Sequence, residues 1–198
     1  MADSLYLSLW FPSFTEREVL PRVLSVMKQF PYSLEFPGIG HLAVHPVGWD
    51  QPIIFEESFD YRADPERAAA LAGEFLHEDY AYEFEALWDL WTPSEEHGEV
   101  WIDRPSPVSL VASGLGFDEG SYRENGHIRV DFGLDTPFLF EDLPLTSQAE
   151  ARVKANVQKL VGFTAAVERN CGISGRLLWS ESEENLAQKL IARLQRVQ

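Results

Sequence analysis

The sequence holds one cysteine and two methionines, and no apolar run in it approaches the ~20 residues that span a bilayer. Cys171 has no partner in the chain, so a disulfide scaffold is excluded. Basic residues are scarce too: 16 Lys and Arg stand against 32 Asp and Glu, a formal net charge of −16. That balance repels phosphate backbones and anionic lipid, so neither nucleic acid nor a membrane is an expected partner. The opening MADSLYLSLWF lacks a basic segment, and Ser and Tyr interrupt its apolar residues. It reads as a strand rather than a secretory leader, and a cytoplasmic protein is expected. The phosphate-loop, nucleophile-elbow and zinc-helix patterns are missing. Ser113-Gly114-Leu115-Gly116 is Gly-rich but lacks the Lys that a phosphate loop needs. No cofactor and no metal are expected.

What is present is enough for a folded core. The chain is 45% hydrophobic and 13% aromatic, which excludes a disordered chain. Its carboxylates are scattered, as at Glu95, Glu96, Glu99, Glu141 and Asp142, with no long block of like charge. That is a solvated acidic surface, not an acidic tail.

The sequence also repeats itself. GHLAVHPVGWDQPIIFE at 40–56 aligns with GHIRVDFGLDTPFLFE at 126–141, with eight of sixteen aligned positions identical. LWTPSEEH at 90–97 aligns with LWSESEEN at 178–185, with five of eight identical. Two matches at nearly one offset predict two related halves, 1–97 and 98–198.

In the first half, Leu5, Leu7, Leu9 and Phe11 alternate with Tyr6, Ser8 and Trp10, the period of a half-buried strand. Thr15 and Glu18 form a capping box before a helical stretch that contains Pro21. Strands follow at about 39–46 and 52–59, then a helix opened by Asp64 and Pro65, then a strand over Tyr82–Leu90. The order β-α-β-β-α-β is the ferredoxin-like unit. The second half predicts strands at 99–104, 107–117, 126–133 and 136–141, with no first helix. A long helix capped by Ser147 and Glu150 follows, with Val153, Val157, Leu160, Val161, Thr164 and Val167 inward, then a strand at Arg176–Trp179 and a terminal helix. The fold class is therefore α+β: two ferredoxin-like units with helices on one face, forming one pseudo-symmetric domain. Their sheets could meet face to face or edge to edge.

Hairpin arithmetic places His41 opposite Glu56 and His127 opposite Glu141, on the faces away from the helices. Those pairs are the candidate catalytic residues, because a carboxylate orients an imidazole and raises its basicity. Tyr6, Trp10, His45 and Arg129 share those faces and are candidate ligand contacts. His45 and His41 lie roughly 13 Å apart along a strand, too far to share a metal ion. The Gly-x-Asp-x-Pro segments at Gly48 and Gly133 are explained by turn chemistry. Two functions fit. One is a non-enzymatic binding or regulatory module that uses the open sheet faces or the acidic surface to take a protein or small molecule. The alternative is a cofactor-free enzyme with a His–Glu pair as general acid and base between the sheets.

Overall fold

The computed structural model describes residues 3–94, 100–140, 146–181 and 186–195. It is an α+β fold built on a seven-stranded sheet in the order β3-β2-β4-β5-β6-β1-β7, with every pairing antiparallel. The strands are β1 (Ser4–Trp10), β2 (Ile39–Pro46), β3 (Phe55–Ala63), β4 (Tyr80–Pro93), β5 (Trp101–Ser113), β6 (Ile128–Leu134) and β7 (Gly175–Ser180). The helices are α1 (Glu16–Met27), α2 (Pro65–Ala72), α3 (Tyr122–Asn125), α4 (Thr136–Leu139), α5 (Ser147–Asn170) and α6 (Leu186–Gln195).

One face of the sheet carries the core. Leu5, Leu7 and Leu9 of β1, Leu42 and Val44 of β2, and Tyr82, Phe84 and Trp88 of β4 are fully covered. They pack with Val19, Val23 and Val26 of α1 and with Val153, Val157 and Leu160 of α5. Each such side chain contributes about 1.5–3 kcal/mol by leaving water. Trp88 stands at the centre, 5.7 Å from Phe30 and 5.1 Å from Phe132 between ring centroids. The helix starts follow local chemistry. Glu18 accepts from Thr15 N at 2.9 Å and from the Ser13 hydroxyl at 2.7 Å. The bond from the Thr15 backbone does most to hold the Glu18 carboxyl down at about 2. Asp64 accepts from Arg67 N at 2.7 Å and Pro65 opens α2. Pro21 lies inside α1, which begins at its capping box regardless.

Several expectations change. The strands form one sheet joined edge to edge through β4 and β5, which leaves the face away from α1 and α5 as the open face. β1 does not stay with β2, β3 and β4; it lies between β6 and β7. A ferredoxin-like unit closed over the first half would keep β1 beside its own strands, so that strand order is not the one formed. The two strands expected at 99–104 and 107–117 are one strand, β5. The strand expected at 136–141 is instead α4 over its described residues, with Asp135 before it and Pro137 in its first turn. Of the expected α5 stripe, Val161 is exposed and Phe163 is buried in the core. Among the described residues, no helix is long and apolar enough to cross a membrane.

Candidate functional site on the open sheet face

Alternation turns one set of side chains away from the helices, and register lines them up across strands. One row runs Ser58, His41, Glu85, Ser109, Asp131, Tyr6, Trp179. The next runs Glu56, Ala43, Glu83, Val111, Arg129, Ser8, Leu177. Three groupings stand on these rows.

The first centres on His41. Its Cα partner is Ser58, not Glu56, so the hairpin pairs two residues further along than the arithmetic placed it. A shift of two keeps every side chain on its face. His41 Nε2 therefore still reaches Glu56 Oε1 diagonally, at 2.9 Å. Its Nδ1 is buried with no hydrogen-bond partner. Beside the pair lies a hollow of about 460 Å³ that reaches Arg62, Glu85, Leu87 and Pro107. A smaller hollow, about 190 Å³, continues along Glu85, Ser109 and Asp131.

The second centres on Glu83. His45 Nε2 lies 2.9 Å from Glu83 Oε2, and the Ser109 hydroxyl donates to Glu83 Oε1 at 2.7 Å. The His45 bond is the main cause that holds the Glu83 carboxyl below its ordinary range; burial works against it and Ser109 adds to it. An ionised carboxylate only accepts, so His45 presents a protonated Nε2. The serine hydroxyl is spent on Glu83 and not on the imidazole. A histidine bonded to a serine hydroxyl, the pairing that activates a serine nucleophile, is not the arrangement formed here.

The third centres on Arg129. Its guanidinium carbon lies 5.3 Å from the Tyr6 ring centroid and 6.0 Å from that of Trp49. Tyr6 stacks on Trp179 at 4.6 Å. Trp49 sits 4.8 Å from the His45 ring and edge-on to Phe117 at 5.1 Å. Phe117 itself packs on Ala81 and Val111 of the open face. The two loops that supply Trp49 and Phe117 meet where Asp118 N donates to Val47 O at 2.6 Å. Val47 (φ 59°), Asp118 (φ 50°) and Glu119 (φ 55°) are all left-handed there. Each costs roughly 1–2 kcal/mol, and the contact between the loops holds them.

The expected second pair does not form. His127 Nδ1 accepts from Phe11 N at 3.0 Å, and its ring stacks between Phe14 at 4.4 Å and Tyr122 at 4.8 Å. Burial pushes its pKa down, which favours the neutral ring that this acceptor role requires. Strand β6 pairs with β5 and β1 rather than with a hairpin partner, and Glu141 lies outside the described residues. Trp10 donates from Nε1 to Tyr122 O at 3.0 Å, so it braces α3.

Sequence reasoning named His41, Glu56, His45, Tyr6 and Arg129 but missed Arg62, Glu83, Glu85, Ser109 and Trp49. Alternation in Tyr82–Leu90 was the available signal for Glu83 and Glu85, since it turns both off the apolar face. Nothing local marked that β5 and β6 would bring Ser109 and Arg129 onto the same face. Among the described residues, no group of three or more His, Cys, Asp or Glu could hold a metal ion. Compared with known proteins, the chain matches no family model, and neither a curated protein nor a solved structure is significantly similar to it.

Proposed function

We propose that this protein is a binding module that takes a small polar ligand on its open sheet face, in the hollow beside His41 and Glu56. The observation that carries the reading is the hollow itself. It holds about 460 Å³, within the range of ligand pockets, and is lined by groups of both charges together with apolar wall. The enzyme reading has less behind it. His41 offers a substrate neither nitrogen: Nε2 faces Glu56, and Nδ1 is buried. His127 is likewise consumed by Phe11 and its stacking rings. A proton-transfer role needs a nitrogen within hydrogen-bond reach of substrate. The repeated segments also support reading 1–97 and 98–198 as copies of one ancestral unit, with the first strand now housed in the other half.

The test is backbone amide NMR with propionate, propylamine and alanine as probes. Saturable shifts grouped on Gly40, His41, Ser58 and Leu87 are expected with at least one of them. If no probe gives saturable shifts, or all shifts fall on the helical face, the reading is wrong.

A further inference from the structure

We infer that the hollow beside His41 is built for a free amino acid with an apolar side chain, held by Arg62 at its carboxylate and Glu85 at its ammonium. This rests on the binding reading above and gives it a ligand class.

The hollow contains two opposite charges that are unused. Neither the Arg62 guanidinium nor the Glu85 carboxylate makes an ion pair or hydrogen bond with any described residue, including each other, although both line the same space. Glu56, the other carboxylate there, is already engaged by His41. A cation and an anion that face one hollow without pairing match a ligand that carries both charges at a distance. A ligand with one charge would leave the other group without a partner.

The position of Arg62 is prepared by the chain. A Cβ at Gly40 would fall 2.2 Å from Arg62 Nη1 and 2.5 Å from Cζ. The guanidinium therefore rests on the bare backbone of Gly40, where β2 shifts register between Ile39 and His41. Its carbon also lies 6.0 Å from the Phe36 ring centroid. Seated this way, the fork keeps its edge for a bidentate carboxylate, the geometry that guanidinium serves best. Glu85 stands in the neighbouring row position to His41 and only accepts when ionised, which suits an ammonium. Leu87 and Pro107 face one another across β4 and β5 and form the apolar wall of the hollow. A side chain of leucine or valine size has its place there.

The experiment titrates L-leucine, N-acetyl-L-leucine and L-leucinamide into the full chain, followed by amide NMR and by calorimetry. Leucine is expected to give saturable shifts at Gly40, His41 and Leu87. Each derivative lacks one charge and is expected to bind about tenfold more weakly. Arg62→Gln should weaken leucine about tenfold and leave leucinamide unchanged. Glu85→Gln should weaken leucine and leave N-acetyl-leucine unchanged. Gly40→Ala should behave as Arg62→Gln, since it evicts the guanidinium; the amide spectrum reports whether the variant is folded, and Arg62→Gln stands independently of it. If either derivative binds as tightly as leucine, the two-charge assignment falls while the binding face survives. If propionate or propylamine binds and leucine does not, the outcome is the same. If none of these probes shifts the open face, both the assignment and the binding reading fall.

Discussion

At the scale of single residues, the histidines divide by what their rings touch. His127 is kept neutral by burial, its pKa lowered from 6.5. The unfolded chain takes up that proton at the ordinary value. Between 6.5 and the lower folded value the unfolded state therefore binds more protons, and stability falls as pH falls through that window. Urea titrations across the window, on the protein and on His127→Gln, should show this slope in their difference. A difference independent of pH would count against a neutral His127. Glu83 has the same sign in a more acidic window. Its carboxyl is held below 4.5, so the stability it supplies is present above that value and is lost as pH falls through the folded value. Glu83→Gln removes the acceptor charge shared by His45 and Ser109. It should cost about 1–2 kcal/mol at neutral pH and flatten the acid limb of the stability curve. An unchanged denaturation midpoint would show that the His45–Glu83–Ser109 chain carries no stability.

At the scale of elements, β4 explains much of the molecule. Its pairing with β2 stops at Ala86, while its pairing with β5 runs on to Pro93. Beyond Ala86 one edge of β4 therefore needs other partners. Ser33 N donates to Leu87 O at 2.7 Å, and Lys159 Nζ donates to Asp89 O. Asn156 of α5, almost wholly buried, bonds both Trp91 N and Trp91 O and also reaches Pro137 O. A side chain that mimics a strand closes that edge. Asn156→Ala should cost about 2–4 kcal/mol in urea unfolding, because it orphans buried backbone groups. A cost of a few tenths would mean that water replaces it freely. The same edge logic separates what the sequence made legible from what it hid. The alternation of β1, β2 and β4 and the caps of α1 and α2 are local signals, and they were readable. Pro105 and Pro107 lie at the break expected between two strands, inside what is one strand, β5. They sit where β5 has β4 on one side only, since β6 pairs no further than Ser109, and there a missing N–H costs nothing. At 136–141 the resemblance to the first hairpin outweighed Asp135 and Pro137, whose helix-start chemistry decided the outcome. The site was half legible for the same reason. His41 and Glu56 belong to one hairpin, but Arg62 and Glu85 meet across three strands, a relation that no local pattern encodes.

At the scale of the whole molecule, the repeat and the strand order make opposite predictions about autonomy. Two copies of a closed unit would each bury their own core and fold alone. Here the strand that opens the first half hydrogen-bonds only to strands of the second. Removing 98–198 strips β1 of both neighbours and uncovers Leu5, Leu7 and Leu9, all fully buried in the intact sheet. It also exposes β4 along the edge that β5 covers from Ala81 to Pro93. The reverse cut leaves β6 and β7 with a strand-wide gap between them. Residues 1–97 or 98–198 expressed alone should therefore give poorly dispersed amide spectra. Mixed together, they should recover the dispersed spectrum of the intact chain, because the missing strand is supplied in trans and only the chain-linkage entropy is lost. A dispersed spectrum from 1–97 alone would require β1 to pair within its own half, and would mean that the exchange of the first strand is dispensable. The His41 hollow is lined by β2, β3 and β4 together with Pro107 of β5. Ligand binding should therefore return only with the complemented pair, so recovery of leucine-induced shifts in the mixture ties the binding face to the joined sheet.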